Sequence, residues 1–214
     1  MRFGVSVEQC ERENVDLSGR VTRGAGLLEG FLARQRVRVA NRRIPAGYRE
    51  GRLLDIGCGV FPYFLATTAF REKYGVDKFT LGEPGVAGSI RLVRHDVEAT
   101  GGLPFSDGFF DVVTMLAVFE HIEPARLVGT IGEVQRILRP GGMYLLTTPA
   151  SWTDGLLRLL AWAGLVSREE IEEHKDVYDH PKIVGILRAA GFDGDEIETG
   201  YFEGFANLWV TARK

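Results

Sequence analysis

Three carboxylates close successive apolar runs in this chain: Asp55 in RLLDIGCG, Asp77 in YGVDK and Asp96 in RHDVEA. At the end of a strand a carboxylate can accept hydrogen bonds from a ribose diol or an exocyclic amine, and it attracts a cation. Just after Asp55 come Gly57, Cys58 and Gly59. Glycines at that spacing let the backbone approach a ligand closely, and a helix start behind them offers unpaired N–H groups. The dinucleotide fingerprint needs a third glycine, and here Pro62 stands in its place; no Gly-Lys-Ser/Thr follows either, so a P-loop is excluded. Asp55 would repel phosphate and draw positive charge toward the loop. The three acids together fit one nucleoside bearing a cation, with Asp77 on the ribose and Asp96 and Val97 at the adenine.

To reach one ligand, these residues must share the edge of a parallel sheet. Short apolar runs at 52–56, 72–76, 89–93, 110–116 and 143–148 alternate with helical segments, the pattern of βα units. A helix is expected over 124–138, opened by Pro124 and stopped by Pro140, Gly141 and Gly142, and another over 181–190 before Gly191. Strands near 196–202 and 205–212 are close enough to form an antiparallel hairpin. The stretch KFTLGEPGVAG (78–88) is too rich in Gly and Pro for a good helix. Ahead of the sheet, Leu27, Leu28, Phe31, Leu32 and Val39 recur near helical spacing and predict one amphipathic helix ending at Ile44, Pro45 and Gly47. The expected organisation is a single domain over 1–214, with an N-terminal helical extension over 1–50 and a helical, lid-like insertion over 149–180.

Composition supports one ordinary folded domain: 214 residues, 45% hydrophobic, 26% charged, net charge −3. That charge gives no footprint for a nucleic-acid backbone, although Arg34, Arg36, Arg38, Arg42, Arg43 and Arg49 concentrate positive charge near the start. Cys10 and Cys58 are the only cysteines, too few for a disulfide framework or a thiolate metal site, and no metal is expected. The most apolar run, 155–166, is interrupted by Arg158 and falls short of the roughly 18 residues a membrane span requires. No secretory leader is visible, so a cytoplasmic location is expected.

The ordered segments LLDIGCG, YGVD, RHDVEATGGLPFSDGFFDVVTMLAVFEHI and LRPGGMYLLTTP resemble the successive motifs of class I S-adenosylmethionine-dependent methyltransferases over roughly residues 50–150. The resemblance implies an α/β, Rossmann-like, seven-stranded mixed sheet with helices on both faces and an antiparallel C-terminal hairpin. It implies S-adenosyl-L-methionine as cofactor. Gly57 and Gly59 would pass under its methionine end, with Cys58 a small residue tolerated between them. Asp55 would help hold the ammonium through the loop, Asp77 would take the ribose hydroxyls beside Lys78, and Asp96 with Val97 would frame adenine. Leu116 and Ala117 would line the pocket beside the sulfonium. Phe61 departs from the pattern, since many members carry a further glycine there.

Such an enzyme works chiefly by aligning acceptor and methyl carbon, with a general base where the acceptor must lose a proton. An imidazole titrates near neutrality, so His121, just past the fourth main run, is the first candidate. His174 and His180, with Tyr178 between them, are rivals that could swing over the acceptor. Glu120 beside His121 reads as a cap or brace. Nucleic-acid acceptors are disfavoured, because the [DNS]-P-P-[YFW] run and a Pro-Cys nucleophile are both missing. The insertion at 149–180 carries Trp152, Leu156, Leu159, Leu160 and Trp162, then a capping box at Ser167–Glu170. It would cover a small-molecule, natural-product or glycan acceptor, or else extend the core or form a homodimer contact. Two other readings are a catalytically inactive cofactor-binding partner subunit and a protein or RNA methyltransferase. A nicotinamide oxidoreductase is penalised by Pro62.

Overall fold

A computed structural model describes residues 28–79, 86–87, 90–99, 102–153, 155, 162, 164–167 and 175–214. Eight strands form one sheet: β1 (Arg52–Ile56), β2 (Glu72–Asp77), β3 (Val86–Ala87), β4 (Ile90–Arg94), β5 (Phe110–Leu116), β6 (Leu138–Pro149), β7 (Ile197–Phe202) and β8 (Asn207–Arg213). Their order is β3-β4-β2-β1-β5-β6-β8-β7. Strands β4, β2, β1, β5 and β6 run parallel, whereas β8 is antiparallel to β6 and to β7. These are the expected seven strands, joined by the two-residue β3, which pairs antiparallel with β4 at the edge. Among the described residues no helix is long and apolar enough to cross a membrane.

Both faces of the sheet are covered, which is why its central strands read as nearly continuous apolar runs. Along β1, Leu53 faces one core, and Leu54 and Ile56 face the other; Val112 against Val113 and Met143 against Tyr144 repeat the alternation on β5 and β6. Helix α1 (Glu29–Arg43) and the short α2 (Tyr63–Thr67) pack on the first face. On the second lie α3 (Pro124–Ile137) and α4 (His180–Ala189). Helix α3 starts with Pro at its first turn and buries Leu127, Ile131, Val134 and Ile137, an unbroken helical stripe. Asp179 caps α4 by accepting a hydrogen bond from the Lys182 N–H at 2.9 Å.

Two sequence expectations are corrected. In α1 the buried stripe is Ala33, Val37, Ala40 and Ile44, while Phe31 and Leu28 are exposed. The small alanines let the helix lie close to the sheet; of the bulky residues that suggested the stripe, Leu32 and Val39 are half-buried and Leu27 lies outside the described residues. Helix α3 also ends at Ile137, three residues before Pro140, because Arg139 precedes proline and is steered away from helical backbone. Pro140, Gly141 and Gly142 belong to β6, where the pairing register with β5 shifts between Phe110↔Leu138 and Val112↔Met143. Gly141 has φ of 71°, the left-handed conformation that lets the strand step over this irregularity.

Part of the N-terminal arginine cluster is structural. The half-buried Arg49 donates to Asn41 Oδ1 at 3.0 Å, to Thr68 Oγ1 at 2.7 Å and to the Asn41 carbonyl at 3.0 Å, tying α1 to the end of α2. Arg43 lies 3.6 Å above the Trp209 ring.

Candidate functional site

The sheet order reverses direction at β1: the chain continues outward through β2 and β4, then returns to β5 on the other side. In open α/β sheets such a switch point leaves a crevice beyond the C-terminal strand ends, and ligands collect there. The loop after β1 and the residues after β5 therefore face each other across the crevice.

Gly57 and Gly59 both adopt left-handed backbone, with φ of 73° and 71°. Their surroundings differ. A Cβ on Gly57 would overlap the Val118 side chain beyond β5, whereas the nearest atom to a Cβ on Gly59 would be the Phe61 nitrogen at 3.9 Å. Gly57 is thus required by packing across the crevice, and Gly59 presents backbone with room above it. Asp77 fixes this loop: its Oδ2 accepts the Gly59 N–H at 2.9 Å, and its Oδ1 accepts the Phe79 N–H at 2.7 Å. A carboxylate oxygen can accept more than one hydrogen bond.

Asp55 lies beneath the loop, 4% exposed, and accepts a 2.7 Å hydrogen bond from Thr114 Oγ1 on β5. Burial pushes its carboxyl pKa up to about 7, against the lowering effect of the Thr114 bond and with a contribution from the Asp77 charge. Cys58 is also buried; desolvation, then Asp55 and Asp77, push its thiol well above the ordinary range, which leaves it inert. The local environment is one that a positively charged ligand would relieve.

Past β4, the Asp96 carboxylate accepts the Glu98 N–H at 3.0 Å, and Val97 packs against the core on the α3 face. Lys78 is exposed, its Nζ 5.0 Å from the Phe79 ring centroid. On the β5 side, Leu116 packs toward the α1 face, and the Ala117 N–H donates to the Thr147 carbonyl of β6 at 2.9 Å. Ala117 has φ of 57°, a strained conformation for a residue with a side chain, and it turns the chain at the crevice wall. Ala117→Gly should therefore raise stability by about 0.5–1 kcal/mol in chemical denaturation, the balance of relieved strain against glycine's greater unfolded-state freedom. A clear loss would show that the methyl packing outweighs the strain.

The other candidates separate spatially. His121 is half-buried in the 3₁₀ turn Phe119–His121 directly after β5, its N–H donating to the Val118 carbonyl. Tyr178 does not lie on a cover over the site: it is 1% exposed, part of the α3–α4 core, with its ring edge-on to Phe119 at 4.9 Å. Burial, then the charges of Asp176, Glu120 and Glu123, push its phenol above the ordinary range, so it is suited to donate rather than to act as a base. His180 is engaged with β7, its Nε2 3.2 Å from the Gly200 carbonyl and its ring 4.5 Å from Tyr201. His174 and most of the insertion, including Leu156, Leu159 and Leu160, lie outside the described residues.

Sequence reasoning missed three contributors. Thr114 holds Asp55, although nothing in its strand distinguishes it from a core residue. Thr147, near the C-terminal end of β6, is buried with its hydroxyl lacking a hydrogen-bond partner among the described residues, and a polar pair at a strand end was the available signal. Glu120, expected as a cap or brace for the following helix, is 3% exposed, and its Oε2 has no partner among the described residues.

Residues 28–197 match a family model described as a methyltransferase domain. The chain belongs to the S-adenosylmethionine-dependent methyltransferases. This methyltransferase is 33% identical over 140 residues to the ubiquinone/menaquinone biosynthesis C-methyltransferase of Stutzerimonas stutzeri, covering 56% of this chain and 51% of that protein. It is 28% identical over 107 residues to the sterol 24-C-methyltransferase of Neurospora crassa, covering 45% and 27%. The methyltransferase spans about half the length, or less, of these curated relatives. Among solved structures, an S-adenosylmethionine-dependent methyltransferase from Archaeoglobus fulgidus superposes with a TM-score of 0.61 at 18% identity, covering 87% of this chain and 94% of that one. Another from Mesorhizobium loti gives 0.60 at 18%, covering 86% and 100%. The family's cofactor is S-adenosyl-L-methionine, and a switch-point crevice with a glycine loop, a buried acid and a ribose-competent carboxylate fits that cationic nucleoside.

Proposed function

We propose that this chain transfers a methyl group to a small-molecule acceptor, and that within the range of natural products, glycans and lipids the acceptor is an apolar, ring-bearing molecule. The observation that carries the cofactor part is the hydrogen bond between Asp77 and Gly59, which joins the glycine loop to a carboxylate at the switch point above the buried Asp55. The apolar acceptor is supported by the relatives, whose names specify ubiquinone or menaquinone biosynthesis and sterols.

When bound, S-adenosylmethionine supplies an activated methyl carbon. In this reading the chain's own residues do the rest. Gly57, Cys58 and Gly59 lie beneath the methionine end, Asp55 balances its charge from below, and Asp77 accepts the ribose hydroxyls with Lys78 alongside. Asp96 and Val97 frame the base, and Leu116 and Ala117 border the position of the methyl group. His121, just beyond β5, takes the proton where the acceptor loses one; His174 is a secondary candidate for that role, and the buried Tyr178 is a candidate for donating a hydrogen bond only.

The test is release of S-adenosylhomocysteine in the presence of reduced quinones and sterols, compared with amines and sugars. Turnover confined to the apolar set is expected, and His121→Ala should slow it and alter its pH profile while leaving cofactor affinity intact. Turnover confined to the polar set would sink the acceptor assignment. Cofactor binding with no turnover on either set would favour a non-catalytic partner subunit.

A further inference from the structure

The C-terminal edge of the sheet is divided by chemistry. Asp55, Asp77 and Asp96 close β1, β2 and β4, whereas the exposed rings of Trp152 and Phe205 meet on the opposite half, beside β6, β8 and β7. Trp152, just past β6, is 58% exposed, and its indole N–H donates to the Phe205 carbonyl at 3.1 Å. Phe205, in the turn between β7 and β8, is 66% exposed, and Trp162 is 82% exposed. Phe205 and Glu203 both hold left-handed backbone without being glycine, with φ of 71° and 52°. A turn that accepts strain at two such positions while keeping a phenylalanine in water is not explained by the core.

Helix α1 adjoins this rim. Its first residues reach the C-terminal edge, where the Leu28 N–H donates to the Leu165 carbonyl at 2.9 Å, and Arg36 lies close enough for its charge to act on Glu203. Phe31, Arg34, Arg38 and Arg42 recur at i, i+3, i+7 and i+11, so they share one face of α1, opposite Ala33, Val37, Ala40 and Ile44. All four are exposed, and none of these arginines has an ion-pair partner among the described residues. The protein therefore presents bare aromatics next to a basic helical face, although its net charge is −3.

We propose that this face docks on an anionic lipid surface, with Trp152, Trp162, Phe205 and Phe31 entering the interfacial region and Arg34 and Arg38 meeting the head groups. Indole and phenyl rings partition into the head-group zone, and arginines beside them are attracted by acidic lipids. A second copy of the chain is a poorer occupant, because a two-fold interface centred on this face would set its arginines near their own symmetry mates. The docking stands independently of the cofactor assignment, since it uses none of the residues in it.

The test is co-sedimentation of the full chain with phosphatidylcholine vesicles containing about a third phosphatidylglycerol, against pure phosphatidylcholine. Binding is expected to the mixed vesicles at low salt, with loss of at least about tenfold in pure phosphatidylcholine or at high salt. Tryptophan emission should shift to the blue on binding, because Trp209, 6% exposed, is already shielded and the change must come from Trp152 and Trp162. The combined Arg34→Gln, Arg38→Gln and Arg42→Gln variant should lose about tenfold or more in partitioning, and Trp162→Ser with Phe205→Ser should abolish most of it. S-adenosylhomocysteine affinity should be unchanged in both, which shows that they fold and separates failure here from failure of the cofactor assignment. Absence of binding to the mixed vesicles would overturn the proposal, as would full binding by the arginine variant. A concentration-dependent dimer abolished by Trp162→Ser with Phe205→Ser would assign the face to a second copy instead.

Discussion

Asp55→Asn should leave stability unchanged near pH 4 and raise it by up to about 4 kcal/mol near pH 8. The native carboxyl has its pKa pushed up to about 7, above the ordinary unfolded value near 4, so between these limits the folded chain holds a proton that the unfolded chain has released. The stabilisation is complete below about pH 4 and is lost as pH rises through about 7. Asparagine keeps an acceptor for Thr114 without the buried charge. Denaturant titrations of both proteins from pH 4 to 8 measure the slope, and equal slopes would show that Asp55 ionises freely in the native protein. Binding of the cationic cofactor should draw the same pKa down. Between about pH 5 and 7 binding should then release a proton, detectable by calorimetry in buffers of different ionisation heat, whereas in Asp55→Asn the release should vanish and affinity should fall.

Asp77→Ala should weaken S-adenosylmethionine and S-adenosylhomocysteine alike, by roughly 1.5–3 kcal/mol, the scale for hydrogen bonds to a charged group. Its two oxygens accept the Gly59 and Phe79 N–H groups, so the substitution removes the proposed ribose acceptor and frees the glycine loop together. Asp77→Asn separates these roles: one amide oxygen can still hold one N–H, but the amide nitrogen cannot accept from the other. Calorimetry on a folded Asp77→Ala variant with unchanged affinity for both ligands would remove Asp77 from the site. The acceptor is untouched by this comparison, since S-adenosylhomocysteine carries no transferable methyl group.

How much of this was legible in the sequence depended on how local the cause was. β1 and β5 have the expected boundaries, because apolar runs of that length between turn residues leave a buried strand few alternatives. The three acids at strand ends were also visible, since the βα rhythm places strand ends at one edge whatever the details of packing. The buried face of α1 was not: Ala33 and Ala40 carry little hydrophobic signal, and only the closeness of the sheet selects them over Phe31. The same holds for Tyr178, whose place between His174 and His180 suggested that it could swing over the acceptor. Its ring instead packs on Phe119, about sixty residues earlier, a contact that no local pattern announces. Asp55 lies between these cases, its identity plain and its buried, Thr114-held state dependent on β5 arriving beside it.

The two margins of the sheet bear on how this protein avoids sticking to itself. An open strand edge is a template for pairing with another chain, and long apolar edges invite aggregation. One margin is blunted by β3, whose two residues offer little to extend and lie beside the exposed Arg91 of β4. The other is β7, where Glu198 and Thr199 are exposed, and where Gly200 leaves space that the Trp209 ring fills from the neighbouring strand. Growth by adding strands from another molecule is therefore discouraged at both ends, and the protein can carry exposed aromatic rings on its rim without offering a continuous β-surface for them to seed.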